Sequence, residues 1–422
     1  MTRQVLNTVT SCADPEAPET LTVAAARERI LQSVTPIETV ERLALRDGLS
    51  RILAENIVSP MDVPGHTNSA MDGFAMSGED LPDDFVNLHV IGTAYAGASF
   101  QGTCGSGECV RIMTGAPMPD GTDTVVMQEQ TMAIEEDQIR IGDGHRVGQN
   151  VRQAGEDIAL GTVVLEAGRQ LIPADLGMLA SLGFGEISVR RRPKVAFFST
   201  GDELRSVGEP LEEGELYDSN RYTLFGMLRR AGAEVIDLGV VKDHPEALSQ
   251  AFTEAAKVAD VVLSSGGVSV GEADYTKLIL QKLGEMQFWK IAMKPGRPLT
   301  FGRLQDALFF GLPGNPVAVM VTFYQFVQPA LHTLSTGKPY LPFTLQARSE
   351  CKIRKRPGRF EFIRGRMNQT PEGTFSVLSL SQQGSGVLSS MSKGDCFILL
   401  DASCDGVDTG DTVTIQPFFS LV

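Results

Sequence analysis

Asp260-Val261-Val262-Leu263-Ser264-Ser265-Gly266-Gly267-Val268-Ser269-Val270-Gly271 is an apolar run that breaks into glycines before a helical pattern ending near Leu283. The run Asp260–Leu263 is predicted to be a buried strand. Its three glycines let the backbone turn sharply and aim N–H groups at one point. The positive end of the following helix adds to that field, which suits a phosphate. A purely structural turn is the alternative. The pattern is neither a Walker loop nor a dinucleotide fingerprint, so neither ATP-type hydrolysis nor NAD chemistry is indicated.

The same alternation extends on both sides. Lys194–Phe198 reads as a strand, Arg221–Ala231 as a helix stopped by Gly232, Glu234–Val241 as a strand, and a helix starts at Pro245. Beyond the glycine loop come the strands Gln287–Ala292 and Ala307–Phe310, then a long helix from Pro316. Strands alternating with helices imply a mostly parallel sheet covered on both faces, with ligands beyond the carboxyl ends of the strands. Pro313-Gly314-Asn315-Pro316 forms a second loop at the equivalent place, with Asn315 suited to the cap and Pro316 to the first turn.

Residues 1–20 read as a loose polar tail, and helical patterns follow over Thr22–Val34 and Pro36–Leu49. Short strands and turns fill 54–144, Pro173–Leu182 suggests a short helix, and 342–422 read as a small β-barrel or sandwich.

Asp202, Glu203, Asp218, Asp243 and Asp274 all fall at strand ends or helix starts of the α/β region. Such carboxylates can be mere caps. If several converge they need a cation, since two like charges about 4 Å apart repel by about 4 kcal/mol at an effective dielectric of roughly 20. Oxygen ligands point to magnesium bridging to phosphate. Lys290, Lys294 and Arg297 supply positive charge, and on a continuous strand Lys290 and Lys294 would share a face. A second basic run, Lys352–Arg359, continues to Arg364 and Arg366. Together these islands suit an oxyanion such as molybdate or sulfate.

Composition narrows the classes. At 422 residues, 42% hydrophobic and 21% charged, the chain is globular and long enough for two to four domains. A net charge of -15 argues against general nucleic-acid or anionic-lipid binding. Cys12, Cys104, Cys109, Cys351, Cys396 and Cys404 form no C-x-x-C pair, and the histidines have no metal spacing. Free thiols, no secretory signal and no apolar run of about 20 residues lead to a cytoplasmic expectation with no membrane contact.

Ser69-Ala70-Met71-Asp72-Gly73-Phe74-Ala75 and Arg111-Ile112-Met113-Thr114-Gly115-Ala116-Pro117 have no local mechanism of their own. With 199–204, 217–220, 264–276, 294–298, 312–318 and 356–359 they form an ordered set that closely resembles the MoeA family of molybdopterin molybdenumtransferases, which includes the E domain of gephyrin. The resemblance runs from about residue 21 to near the end of the chain.

It implies a multidomain α/β plus β fold. The parts are a discontinuous elongated linker domain (21–55 and 145–190), a β-rich domain (56–144), a molybdopterin-binding α/β domain (191–335) and a C-terminal β-barrel (336–422). The implied reaction inserts molybdate into adenylylated molybdopterin and releases AMP, with a divalent cation such as Mg2+. By matching motif, Glu203, Asp243 and Asp274 are implied as metal and phosphate-end residues, and Lys290 and Lys294 as lysines of the cleft. Asp72 and Thr114 are implied to reach that cleft from the partner subunit of a homodimer. Arg359 and Ser385 are implied as contacts from the barrel. Ser265, Gly266, Gly267, Ser269, Gly271, Arg297, Pro313, Gly314 and Asn315 complete the expected binding set. At Arg297 the family commonly has lysine, so the charge is kept and the geometry changed. Contacts with the molybdopterin adenylyltransferase and with molybdoenzyme chaperones are implied partners. Adenylyl transfer to molybdopterin and a non-catalytic, gephyrin-like scaffold are the alternative functions.

Overall fold

The computed structural model describes residues 19–266 and 274–421, apart from the side chains of Glu19, Asp274, Tyr275, Lys277, Leu278 and Phe288. Residues 190–422 and the segment up to Glu41 form one compact unit, and Arg42–Val189 form a second.

In the first unit, seven strands make one sheet: β1 (Glu19–Leu21), β2 (Lys194–Thr200), β3 (Glu234–Val241), β4 (Val261–Ser265), β5 (Gly284–Ile291), β6 (Pro298–Leu304) and β7 (Ala307–Leu312). Their order is β1-β5-β6-β7-β4-β2-β3. Pairing is parallel except where β6 runs antiparallel to β5 and β7. Successive side chains of β2 alternate between two buried layers. Val195 and Phe197 join one core, while Ala196 and Phe198 join the other. A strand buried on both faces must be apolar throughout, which is why these segments read as continuous runs.

The first core is covered by the helices Ser219–Arg230 and Pro316–Thr322, the second by Pro245–Val258. The Pro316 helix continues through a π-helical segment, Phe323–Val327, into Gln328–Thr336. In that segment Gln325 accepts from Arg27 Nη2 at 2.6 Å and donates to Gln416 Oε1 at 3.1 Å. One buried amide thus ties the N-terminal helix Val23–Gln32 and the C-terminal strand Thr412–Pro417 to the helix behind the sheet.

The C-terminal region is a closed barrel. Phe360–Gln369 pairs with Phe375–Ser379 on one side and Cys396–Leu400 on the other, and Leu345–Ser349 and Thr412–Pro417 complete the ring. Met293–Lys294 adds to the outside of this ring, in parallel with Phe360 and Glu361. This two-residue step stitches the sheet region to the barrel.

The second unit holds a six-stranded mixed sheet over residues 73–142 and the helix Pro173–Ser181. Gly73 is required there, because a Cβ would lie 2.0 Å from the Val126 carbonyl oxygen across the pair.

Several expectations need correction. Pro36–Leu49 is not a helix: Val40–Ala44 is a strand and Leu45–Gly48 a 3₁₀ turn. The Leu45 N–H is taken by the Gly185 carbonyl at 2.9 Å, a distant pairing that overrides a helix-compatible apolar spacing. Glu19 and Thr20 belong to edge strand β1, not to a loose tail. Strand β6 escaped the sequence reading because it follows Pro295-Gly296-Arg297-Pro298, which reads as a turn. The expectation for residues 1–18, Cys12 included, lies outside the described residues.

Candidate active site at the strand tips

Registers align the sheet's carboxyl edge. Ser199 pairs with Ser265, and Ser265 with Leu312, so β2, β4 and β7 end together. Beyond these tips lies a cavity of about 880 Å³. The strand ends and the turns after them line it: Thr200 to Glu203 at β2, Ser265 and Gly266 at β4, and Pro313 to Pro316 after β7.

The glycine turn works differently from the expectation at its described end. Gly266 has φ +89°, and a Cβ there would lie 2.4 Å from the Thr200 carbonyl oxygen. Its N–H donates to the Leu312 carbonyl at 3.2 Å instead of facing a ligand. The first glycine therefore allows three strand tips to close up. Gly267, Ser269 and Gly271 lie outside the described residues.

Asn220 braces the same point. Its Nδ2 donates to Ser265 Oγ at 3.0 Å and to the Gly314 carbonyl at 2.7 Å. Asp218 caps the helix Ser219–Arg230 by accepting from the Arg221 N–H at 3.0 Å. The other oxygen of Asp218, Oδ1 of Asn220, and the hydroxyls of Ser199, Thr200 and Ser264 are buried with no hydrogen-bond partner among the described residues. Buried polar groups in that state cost about 1–3 kcal/mol each. Their clustering at one edge marks a place that a ligand completes.

Charges of both signs line the cavity: Asp202, Glu203, Asp218 and Asp243 with Lys294, Arg297 and Arg359. Lys294 Nζ lies 3.5 Å from the largely buried Glu361 carboxylate, which fixes the lysine on the barrel edge. From the barrel, Gln383, Gly384 and Ser385 also reach the wall. Arg364, 1% exposed, holds that loop from beneath, with its Nη2 donating to the Gly384 carbonyl at 3.0 Å and its Nε to Ser390 Oγ at 3.1 Å. Burial without a carboxylate pushes its pKa down to about 10.

Of the expected residues, Glu203, Asp243, Ser265, Gly266, Lys294, Arg297, Pro313, Gly314, Asn315, Arg359 and Ser385 meet at this cavity. Lys290 is not among its wall residues. β5 ends at Ile291 and Met293–Lys294 joins the barrel, so the strand geometry expected to put both lysines on one face is interrupted. Lys290 sits opposite Pro298 on β6, and Pro298 does line the wall. Asp274 opens the helix Asp274–Leu283, with its side chain outside the described set. Among the described residues no three His, Cys, Asp or Glu side chains form a ready metal cluster. The wall carboxylates are all-oxygen donors of the kind a hard cation takes.

The second basic run also divides. Lys352, Arg354, Lys355 and Arg356 line a neighbouring groove of about 940 Å³ that shares Lys294 and Arg359 with the cavity. Arg364, expected on the same basic face, is instead the buried brace described above. In the second unit, Asp72 accepts from the N–H and Oγ1 of Thr114 at 2.7 and 2.8 Å. These two bonds hold its carboxyl below the ordinary carboxylate range.

Asp218, expected only as one of the acidic residues, and Asn220, expected only within the motif 217–220, both join this wall. Sequence reasoning gave Gln383 and Glu361 no role, since only the barrel's closure brings them to the site.

Three family models match the chain in order: MoeA N-terminal region (domain I and II) over 21–183, probable molybdopterin binding domain over 196–333, and MoeA C-terminal region (domain IV) over 346–418. A curated molybdopterin molybdenumtransferase from Haemophilus influenzae is 45% identical, covering 95% of this chain and 100% of the relative. One from Nostoc is 41% identical over 75% of each. The crystal structure of a molybdopterin biosynthesis MoeA protein from Pyrococcus horikoshii superposes with a TM-score of 0.84 at 29% identity, over 94% of this chain and 100% of that one. Fold, motif order and near-full-length identity agree: the chain belongs to the MoeA family.

Proposed function

We propose that this protein is a molybdopterin molybdenumtransferase, which converts adenylylated molybdopterin and molybdate into molybdenum cofactor and AMP. The observation that carries the reading is the single cavity in which strand-tip loops, carboxylates and barrel-borne cations meet. A phosphorylated pterin and an oxyanion are both anionic, and in a chain of net charge -15 they need such a local concentration of positive charge.

Lys294, Arg297 and Arg359, with the Ser385 hydroxyl, gather the oxyanion and hold it against the dithiolene end of the substrate. The loops at Ser265–Gly266 and Pro313–Asn315 shape the floor, and Lys290 adds positive charge from behind it. No side chain here forms a covalent intermediate in this reading; binding energy positions the reactants. Glu203, Asp243 and Asp274 would hold a divalent cation such as Mg2+, which supplies neutralisation of the phosphate charge. Asp72 and Thr114 act in this reading as a pair presented by the second subunit of a homodimer. A cytoplasmic setting, and handover from the adenylyltransferase and to molybdoenzyme chaperones, complete the proposal.

The test is direct. Purified protein incubated with adenylylated molybdopterin, molybdate and Mg2+ should release AMP and yield cofactor that reconstitutes an apo-molybdoenzyme. Formation of adenylylated product from ATP and molybdopterin, with no AMP release from the adenylylated substrate, would favour adenylyl transfer instead.

A further inference from the structure

The acidic corner of the cavity has a feature that neither an oxyanion nor a phosphate accounts for. Asp218 is 2% exposed, and its free oxygen has no partner among the described residues. Two residues on, Asn220 has both amide donors committed, to Ser265 and Gly314, so its buried Oδ1 is fixed as an acceptor and is also unpartnered. Both residues line the cavity. Two shielded acceptors in one three-residue segment call for donors. A phosphate or molybdate oxygen would be repelled by them.

A hard cation would need about 6 oxygens, and among the described residues no three His, Cys, Asp or Glu side chains gather into such a site. A planar ring with adjacent N–H groups is the other candidate. Such a ring also needs an apolar face to lie on, and the corner provides one. Leu204 pairs with Leu216 in a two-stranded ribbon, and Tyr217 follows. Leu204, Leu216 and Tyr217 line the cavity, with Leu216 50% and Tyr217 42% exposed. The Tyr217 hydroxyl donates to the Glu209 carbonyl at 2.8 Å, which holds its ring in place.

We propose that Asp218 and Asn220 recognise the 2-amino-4-oxopyrimidine edge of the pterin ring, with the ring lying on the Leu204–Leu216–Tyr217 ribbon. This deepens the transferase reading and rests on it. The pterin edge presents its 2-amino group and N3–H side by side, two donors for two acceptors. Adenine offers one amino donor beside an acceptor nitrogen, which would face one of the two oxygens without a hydrogen. The corner therefore selects the pterin end of the substrate over the adenylate end. It also orients the substrate, because a ring held here leaves the dithiolene to the rest of the cavity, whose wall includes Lys294, Arg297 and Arg359.

The test uses the full chain in EDTA and two neutral fluorescent probes. 6-Methylpterin carries the donor edge, whereas 6-methyllumazine replaces the 2-amino group by a carbonyl that would oppose Asp218. Wild type should bind the pterin at least about tenfold more tightly, equivalent to about 1.4 kcal/mol. Asp218→Asn keeps the helix cap but places an NH2 where the acceptor was; it should abolish the preference. The probe swap on wild type requires no variant to fold. Equal binding of the two probes by wild type, an Asp218→Asn variant that retains the preference, or pterin binding that requires added Mg2+ would each overturn the assignment. AMP release from the adenylylated substrate separates the two readings. If release proceeds without pterin preference, only the subsite fails; if release is absent, the transferase reading fails.

Discussion

Asp72 and Thr114 show how little of a residue's role is visible in its immediate neighbours. They lie 42 positions apart, and the strand pairing of Gly73 with Ile112 brings them into hydrogen-bond contact. Thr114 donates twice to one carboxylate oxygen, favouring the ionised form. Asp72 thus has a depressed folded pKa, so any stability it contributes is present above the usual value and lost as pH falls through the folded one. Thr114→Val should move the Asp72 titration, followed by NMR, up toward the ordinary range; an unchanged titration would refute this account of the pair. The thiols go the other way. Burial, helped by Glu108 and Asp80, raises Cys104 to about 11, and burial raises Cys109 to about 12. An unfolded chain releases these protons near pH 8.5, so it binds fewer protons than the folded one between about 8.5 and 11. Stability must fall with pH across that window. Urea midpoints measured at pH 8 and pH 10.5 should drop, and a Cys104→Ala/Cys109→Ala variant should show a smaller drop.

At the scale of elements, the site depends on three strands ending in step. Gly266 makes this possible by accepting φ +89° within reach of the Thr200 carbonyl. Gly266→Ala adds a Cβ to that contact and strains the backbone, so a loss of roughly 1–3 kcal/mol is expected. Urea unfolding would measure it, and AMP release should fall with it, since the tips of β2, β4 and β7 can no longer close. Strands β2, β4 and β7 were legible because burial on both faces demands uninterrupted apolar runs, and β3 and β5 because strand-like segments alternate there with helical ones. Strand β6 and the 3₁₀ turn at Leu45–Gly48 were not. One sits behind a Pro-Gly-rich turn, and the other is fixed by a partner about 140 residues away.

For the whole molecule, the proposal that Asp72 serves a partner's cavity predicts complementation. Asp72→Asn and Asp274→Asn proteins, each inactive alone, should regain up to about a quarter of wild-type AMP release when mixed and allowed to exchange subunits, because one site in each mixed dimer is intact. No recovery despite demonstrated exchange would place both residues in one subunit's site, or Asp72 in none. The barrel's role is also a property of the whole. Arg359 and Ser385 reach the wall only because Met293–Lys294 leaves the sheet and pairs with Phe360–Glu361.

The amino-acid order alone determined the α/β core, the two strand-tip loops, the basic segments and the family, because hydrophobic period, glycine placement and motif order are local properties of the chain. Only the tertiary structure decided which charges share a cavity. It put Lys294 on the cavity wall and on the barrel edge, turned Arg364 into a buried brace, and left Asp218 and Asn220 with unpaired acceptors. Those outcomes depend on strand register and barrel closure, which join residues far apart in the chain through contacts that no local pattern encodes.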